Sequence, residues 1–545
     1  MNGLKINYKS YFGTDFIALC FFDKVKDGVK LTACLCTEKE EAPALSYSVN
    51  NATYNTEFYY SQAKSVEGRV VNFNYFVIEM SLEKMRKEQK ITFGNSLPIA
   101  TFSQFPIDSR SLSYHLFDGL VMYINENALC ISPAERSVVS AVKKRRAIAM
   151  RRCFKNDRNN VIKATVMRIS HRIFSPFFKK DIWLVADRKG AGGDNGEVFF
   201  EYLMANKPKN ASVLFVINKD SPDTPRIKKI GKVIYPRTFK YKLYYTFATR
   251  LIASQLEYDI VNPIAARDYL KDILYKCKIV FLQHGIIKDD LSPTYNRYER
   301  TMDAFITSTV DEYNSIAKSH AYGYGEKIVK LTGLARFDKL TNHQEKIVFI
   351  CPSWRKYCLK DTEKQLPIDN IEDTEAYKLY KEILSNNELI STAKRLGYKL
   401  CFYPHFLMKG CFDGIDLSDP VFISSLGISY REMFCRGALL MTDYSSVQFD
   451  FAYLKKPVIY CQSDKDEFFA SHTYVKGYFD YERDGFGPVC YNAQELISLL
   501  CRYMENGCAL ESVYEERIDK AFKFHDQESC KRILDEVLNL DNGTN

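Results

Sequence analysis

Polar side chains follow directly on apolar stretches at three places in this sequence. In the first, Gln283-His284-Gly285 comes after the apolar stretch 278–282. An imidazole titrates near pH 6.5, so it can accept a proton from a hydroxyl at neutral pH. Gly285 lets the backbone approach a substrate closely. His284 is therefore a candidate general base, with a purely structural histidine as the alternative.

The second place is Tyr403-Pro404-His405, which again follows a predicted strand. His405 there is suited to donate a hydrogen bond to a phosphate oxygen. A histidine packed inside a loop is the alternative.

The third place is the stretch 441–451, where a strand ends at Asp443 and Ser445-Ser446 open a helix. Hydroxyl groups and free N–H groups at a helix start bind anions, which suits a pyrophosphate. An ordinary helix cap is the alternative, because Ser is common there. Asp443 and Asp450 lie on opposite sides of the turn without a second carboxylate cluster, so we expect no metal site.

Two arginines and a glycine-rich loop give weaker signals. Arg336 lies in the stretch 332–338, and Arg355 follows the predicted strand 346–350. Each arginine could pair with a phosphate through two N–H groups, with a salt bridge as the alternative. The loop 187–197 matches no complete nucleotide-binding pattern.

The elements that must position these residues alternate between short apolar strands and longer polar helices. This pattern is typical of parallel sheets, whose ligands bind at the carboxyl ends of the strands. We predict two doubly wound domains, at 181–342 and 343–545, with a cleft between them and a final helix at about 515–538. The predicted strands are 182–186, 212–217, 233–235, 250–254 and 278–283, then 346–350, 399–403, 437–442 and 457–460.

The region 1–134 is predicted to be mostly β, and it carries no catalytic cluster. Turn-forming residues separate short runs rich in Val, Ile, Phe, Tyr and Thr, which favours a small sandwich with an accessory role. The predicted strands are 16–22, 30–36, 56–60, 69–79 and 120–131.

A basic segment, 135–180, links the two parts. Residues 136–180 hold 14 Lys and Arg side chains against the single acid Asp157, whereas the whole chain has a net charge of +9. Apolar residues recur there at helical spacing, a pattern typical of helices on anionic membranes. A solvated helical linker is an equal alternative. The expected membrane contacts are Lys143, Lys144, Arg145, Arg146, Arg151 and Arg152.

The whole-chain composition excludes several classes of protein. The 545 residues suggest about three domains. The 16 cysteines are scattered without a C-x-x-C pair, so we expect reduced thiols and no zinc site. No apolar run reaches the ~18–20 residues that span a bilayer, and a cleavable signal is not evident. We therefore expect a cytoplasmic protein, peripheral on the inner face of the membrane.

Taken in order, the motifs are more specific than any one alone. They are D-R-x(6)-N-G-E, Q-H-G, G-x-x-R-x-D, P-S-W-R, P-H and T-D-Y-S-S-x-x-F-D, followed by D-G-F-G-P. This order resembles the CDP-glycerol glycerophosphotransferase family, the teichoic acid and capsule polymerases and primases of bacteria. The resemblance covers about 181–500. It departs after Gly285, where the sequence is Ile286-Ile287-Lys288 in place of the family's frequent Thr-Pro-x-Lys.

The resemblance implies a GT-B-like pair of Rossmann-type domains, the first on the acceptor side and the second binding the donor. It implies transfer of a polyol phosphate, glycerol phosphate foremost, from a CDP-activated donor to a hydroxyl of a lipid-linked or polymeric glycan, with release of CMP. The donor is a substrate, so no cofactor is expected.

The expected roles follow from the resemblance and from the residue chemistry together. His284 is the expected base. The expected acceptor or phosphate contacts are Asn195, Gly285 and Lys288. The expected donor contacts are His405, Ser445, Ser446, Asp450, Arg336, Arg355 and Asp443.

Three other functions stay open at this point. The same architecture would serve a glycosyltransferase that uses a nucleotide sugar in capsule or cell-wall synthesis, with His284 still the base. A non-catalytic scaffold would not need both histidines and both serines. Nucleic-acid binding is disfavoured because the basic segment matches no known module.

Overall fold

The computed structural model describes residues 11–540, except 67, 82, 103–104, 363, 409 and 472–474. Its N-terminal region contains two mostly antiparallel sheets, ordered β5-β6-β2-β1-β8 and β4-β3-β7-β11-β10-β9. The strands are β1 (Phe16–Val25), β2 (Gly28–Thr37), β3 (Ser46–Val49), β4 (Ala52–Asn55), β5 (Tyr60–Val66), β6 (Arg69–Ser81), β7 (Gln89–Phe93), β8 (Ile99–Thr101), β9 (His115–Phe117), β10 (Leu120–Asn125) and β11 (Ala128–Pro133).

These two sheets share one apolar core, as expected of a sandwich. Leu19 and Leu31 from the first sheet join Ile91 and Met122 from the second in a single buried cluster. The predicted strand 56–60 is wrong. The amide and hydroxyl of Thr56 both donate to the Leu45 carbonyl, at 2.9 and 2.7 Å, so the chain there turns through a loop.

The basic segment forms two helices, α1 (Arg136–Cys153) and α2 (Arg158–Phe174). The buried face of α2 packs on the first parallel sheet. Of the six expected membrane contacts, five are exposed. The sixth, Arg146, is not exposed. Its guanidinium is half-buried and pairs with Asp272 at 3.1 Å, so its expected membrane contact is corrected.

The first parallel sheet has the order β14-β13-β12-β15-β16-β17-β18. Strands such as β12 and β16 are apolar on both faces because helices cover both sides of a parallel sheet. Its elements are β12 (Asp181–Ala186), α3 (Asn195–Ala205), β13 (Ala211–Val216), α4 (Thr224–Ile230), β14 (Val233–Ile234), α5 (Phe239–Phe247), β15 (Ala248–Ala253), α6 (Tyr258–Val261), α7 (Lys271–Leu274), β16 (Lys278–Phe281), β17 (Ala304–Thr307), α8 (Val310–Ala317) and β18 (Val329–Leu331).

The second parallel sheet has the order β22-β19-β23-β24-β25, and β20 and β21 form a separate hairpin. Its elements are β19 (Ile347–Ile350), β20 (Leu359–Asp361), β21 (Leu366–Pro367), α9 (Glu375–Leu384), α10 (Asn387–Leu396), β22 (Lys399–Phe402), α11 (Tyr430–Arg436), β23 (Leu439–Thr442), α12 (Val447–Tyr453), β24 (Val458–Cys461), α13 (Lys465–Ser471), α14 (Tyr481–Asp484), β25 (Val489–Cys490) and α15 (Ala493–Glu505).

The C-terminal tail forms two helices, α16 (Ser512–Ala521) and α17 (Ser529–Asn539), where the sequence predicted one. Helix α17 packs Cys530, Ile533 and Val537 against the first parallel sheet. The end of the chain thus belongs structurally with the first sheet, although the predicted boundary placed it with the second.

The strand order reverses once within each parallel sheet, between β12 and β15 and between β19 and β23. Ligands of doubly wound folds bind outside the carboxyl ends of the strands at such a reversal. The predicted fold class is confirmed: a GT-B-like pair of Rossmann-type sheets follows a mostly-β region.

Candidate active site

The loop that carries His284 is strained and held from both sides. Gln283, two residues after β16, has a left-handed backbone with φ of 63°, a conformation that non-glycine residues adopt at an energetic cost. The Asn195 amide donates to the Gln283 carbonyl at 2.8 Å. Buried Glu312 accepts from the Gln283 side chain at 3.0 Å and from the Ile287 amide at 2.6 Å. The loop is therefore fixed before any substrate binds.

The His284 side chain reaches solvent although protein surrounds much of its ring, and the ring makes no hydrogen bond to the described residues. Desolvation by the surrounding protein lowers the pKa of His284 below its ordinary value, and Asp194 opposes this shift. The ring is therefore neutral at pH 7. A neutral ring without a protein partner can accept a proton.

His284 meets the second sheet through Gly285. A Cβ atom at Gly285 would lie 2.6 Å from the Ser446 Oγ, so a larger residue would require the Ser446 side chain to move. Ser446 immediately precedes α12, and its side chain makes no capping hydrogen bond. The Ser445 Oγ accepts from the Val447 amide at 3.4 Å. The structure thus brings His284, Gly285 and Ser446 together from the two sheets.

Arg336 ties the same two loops together. Its Nε and Nη2 donate to the two carboxylate oxygens of Asp450, at 2.6 and 2.8 Å. Its Nη1 donates to Asp194 and to the His284 carbonyl, each at 2.8 Å. Arg336 and Asp450 therefore pair with each other, and their expected contact with the donor stays a prediction.

The expectation that Asn195 and Lys288 contact the acceptor or a phosphate is corrected. Asn195 is fully buried, and its Oδ1 accepts from the Arg336 amide at 2.9 Å while its Nδ2 holds Gln283. Lys288 is buried beside the Tyr481 ring and pairs with Asp289 at 2.5 Å. Both residues position the loop instead of reaching a substrate.

Arg355 and Asp443 form a buried ion-pair network. Their side chains are 1% and 0% exposed, and they pair with each other. Arg355 also donates to both oxygens of Asp464, at 2.9 and 3.1 Å. The expectation that Arg355 and Asp443 bind the donor is corrected, since neither side chain presents an atom to the cleft. The network fixes the loops after β19 and β23 against each other.

His405 follows β22 and is half-buried. Its Nδ1 accepts from the Leu407 amide at 3.2 Å, so a neutral ring carries its proton on Nε2. Burial lowers its pKa to about 4, with Arg188 adding to the effect. His405 is therefore a neutral N–H donor at pH 7 and does not supply positive charge.

Sequence reasoning missed Asp187, Arg188 and Glu312. Asp187 is buried after β12 and accepts from the amides of Asp194 and Gly196, at 3.0 and 2.6 Å, which shapes the glycine-rich loop. Burial raises the pKa of Asp187 and of Glu312 to about 7. Arg188 is exposed beside both histidine loops. The Asp187-Arg188 pair opens the first family motif, and that motif was the available signal.

The model of the family described as CDP-Glycerol:Poly(glycerophosphate) glycerophosphotransferase matches residues 166–539, more than half of the chain. The chain belongs to this family. The relative described as minor teichoic acid biosynthesis protein GgaB of Bacillus subtilis (strain 168) is 35% identical over 394 residues. That match covers 71% of this chain but only 43% of the GgaB length.

A second relative and one solved structure are also similar to this chain. The teichoic acid poly(glycerol phosphate) polymerase of Bacillus subtilis (strain 168) is 24% identical over 197 residues, covering 36% of this chain and 24% of that protein. A structure of a variant of the wall teichoic acid polymerase TagF is 17% identical, with a TM-score of 0.50. It covers 73% of this chain and 97% of that chain, which supports the fold.

Proposed function

We propose that this chain transfers a polyol phosphate, glycerol phosphate foremost, from a CDP-activated donor to a hydroxyl of a lipid-linked or polymeric glycan. One observation carries the proposal: the loop that bears the exposed, neutral His284 meets the Ser446 loop, through Gly285, where the two sheets of a family member come together. A proton acceptor at that place is what a hydroxyl nucleophile requires.

The reaction is an in-line displacement at phosphorus. The acceptor hydroxyl oxygen attacks the β-phosphorus of the donor, and His284 takes the hydroxyl proton. The bond between the β-phosphorus and the bridging oxygen breaks, and CMP leaves with the electron pair. The neutral Nε2–H of His405 and the hydroxyls of Ser445 and Ser446 stabilise the phosphate oxygens. Arg336, Asp450, Arg355 and Asp443 act by positioning these groups.

A donor panel tests this function. Purified full-length chain is incubated with a lipid-linked oligo(glycerol phosphate) acceptor and CDP-glycerol, CDP-ribitol or a set of nucleotide sugars. CMP release and the product mass are then measured. We expect CMP from a CDP-polyol and growth of the acceptor by whole polyol phosphate units. Transfer from a nucleotide sugar with no reaction of either CDP-polyol would contradict the proposal and favour a glycosyltransferase.

We further propose that the basic helices dock the enzyme on an anionic membrane. On α2 an exposed apolar stripe continues beyond the helix end to Phe177, which is 79% exposed. Exposed Lys143, Lys144 and Arg145 on α1 add positive charge, a combination suited to an anionic lipid surface. No described helix is long and apolar enough to cross a membrane. The stripe consists of Ile162, Val166, Ile169, Ile173 and Phe174.

Vesicle flotation separates this docking from a solvated linker. Ile169→Gln with Ile173→Gln, and separately Lys143→Gln with Lys144→Gln and Arg145→Gln, should each reduce binding to phosphatidylglycerol vesicles. The exposed Arg395→Gln, which only breaks a surface pair with Glu505, serves as the control. Wild-type binding by both sets of variants would exclude these helices from membrane contact.

A further inference from the structure

The reversal point of the first sheet holds two residues to which no role has been given. Arg188 lies two residues after β12, and Gln255 lies two residues after β15. These strands are the neighbours between which the strand order reverses. Ligands of doubly wound sheets bind at this point. The two residues therefore occupy the ligand position of the first sheet.

Gln255 holds Arg188 without neutralising it. Because amide oxygen and nitrogen are assigned from their partners, the orientation that satisfies both groups turns Oε1 toward the guanidinium. In that orientation Oε1 accepts from the Arg188 Nε at 3.1 Å and from Nη2 at 3.0 Å. An amide carries no charge, so the guanidinium keeps its full positive charge.

Other cations around the cleft are compensated. Arg336 pairs with Asp450 and Asp194, and Arg355 pairs with Asp443 and Asp464. Lys288 pairs with Asp289. Within the part of the chain that the structure describes, no carboxylate pairs with Arg188. Its positive charge is therefore available to an anionic ligand.

Arg188 also reaches the loop of the second sheet. Its guanidinium carbon lies 5.6 Å from the centroid of the Phe406 ring, and that ring lies 4.4 Å from the ring of His405. Burial is the main cause of the lowered pKa of His284 and of His405, and the charge of Arg188 adds to both shifts. The guanidinium thus faces both histidine loops.

We propose that Arg188, oriented by Gln255, binds a phosphate oxyanion of the substrate between the two histidines. The inference rests on the proposed function and names the cation that this function needs. Nε and Nη2 are engaged by Gln255, which leaves Nη1 for a charge-assisted hydrogen bond. The oxyanion belongs either to the pyrophosphate of the donor or to the terminal phosphate of the acceptor.

Binding and kinetics of Arg188→Gln test the proposal on the full chain. Calorimetry measures the Kd of CDP-glycerol, and CMP release gives kcat and the KM of the acceptor. We expect the loss of this one oxyanion partner to weaken the bound state that uses it by about 10²-fold. A weaker Kd of CDP-glycerol assigns the donor pyrophosphate, whereas an unchanged Kd with a raised acceptor KM assigns the acceptor phosphate. Wild-type values for both would overturn the inference.

Gln255→Glu is the matched test of positioning. The new carboxylate would keep the contact but compensate the guanidinium, so the same binding constant should weaken by about 10-fold at an unchanged thermal midpoint. A purely structural Gln255 would instead lower the thermal midpoint and leave binding alone, which would contradict its assigned role. Arg395→Gln controls for the loss of one positive charge, and an equal effect there would also overturn the inference.

These outcomes separate the inference from the proposed function. A wild-type chain that binds CDP-glycerol but transfers nothing overturns the proposed function, while weaker binding by Arg188→Gln still supports the phosphate contact. A wild-type chain that transfers polyol phosphate, with an Arg188→Gln variant of unchanged affinity and kinetics, overturns the inference alone.

Discussion

Each of the two histidine loops follows the carboxyl end of a parallel strand, β16 in the first sheet and β22 in the second, yet their surroundings differ. His284 is exposed, its ring has no hydrogen bond to the described residues, and its carbonyl is held by Arg336. His405 is half-buried, and its Nδ1 is fixed by the Leu407 amide. Each histidine follows a strand in the sequence, yet the two rings differ in their exposure and in their hydrogen bonds.

The two histidines differ in which ring nitrogens are free. Both rings are neutral at pH 7, because desolvation lowers both pKa values. The His284 ring has no hydrogen bond to the described residues, so its unprotonated nitrogen is free to accept a proton. His405 has its acceptor nitrogen engaged and offers a donor. The comparison supports the proposed roles, with proton acceptance by His284 of the first sheet and phosphate stabilisation by His405 of the second.

Replacing the base should have the largest effect. In His284→Gln the side chain can still form hydrogen bonds but cannot take up a proton. We expect kcat/KM for CMP release from CDP-glycerol to fall by about 10³-fold or more, the range of a lost general base. The exposed position predicts an unchanged thermal midpoint. Near-normal activity would show that His284 is not the base and that the two histidines do not differ in this role.

Breaking the ion pair behind His284 should come next. Asp450 is 1% exposed, so Asp450→Asn leaves the Arg336 charge poorly compensated between the two sheets. We expect a loss of about 3 kcal/mol in stability, measured as a lower thermal midpoint, together with reduced activity. Asp419→Asn, which breaks an exposed pair with Lys394, is the control and should leave the midpoint unchanged. Equal midpoints for both variants would contradict a structural role for Asp450.

Two substitutions at His405 should then show how much its N–H hydrogen-bond donor contributes to activity. His405→Gln keeps a neutral N–H donor, and we expect activity to fall by about 10-fold. His405→Ala removes the donor, and we expect a fall of about 100-fold. Equal losses in the two variants would mean that the ring contributes something other than its hydrogen bond.

The pH dependence should show the smallest but most specific effect. A base works only when unprotonated, so activity is lost as the pH falls through the pKa of His284. Because that pKa is lowered, the acid limb of the kcat/KM profile should lie below the ordinary histidine value of about 6.5. His405→Gln should leave the limb in place. A limb above pH 7 would contradict the assignment.

Much of the fold could be predicted because apolar strands and turn residues are local signals. The strands that end at His284, His405 and Asp443 were each predicted to within two residues. The convergence of His284 with Ser446 followed from the carboxyl ends of two parallel sheets. The prediction of strand 56–60 was wrong, because both the amide and the hydroxyl of Thr56 bond to the Leu45 carbonyl in the loop that follows β4.

Charge compensation could not be predicted, because it depends on residues distant in sequence. Arg355 and Lys288 look like phosphate ligands until Asp464 and Tyr481 are seen beside them. Arg188 looks unremarkable until its partner is seen to be the amide Gln255. The sequence shows which cations are present near the site. Only the tertiary structure shows which of them lack a carboxylate that compensates their charge.

The ratio of kcat/KM between the two histidine variants is the most direct test of His284 as the proton acceptor. Purified His284→Gln and His405→Gln are assayed side by side for kcat/KM of CMP release from CDP-glycerol in the presence of acceptor. We expect His284→Gln to lose about 10²-fold more activity than His405→Gln, since only the first removes the proposed proton acceptor. Equal losses, or a larger loss in His405→Gln, would contradict it.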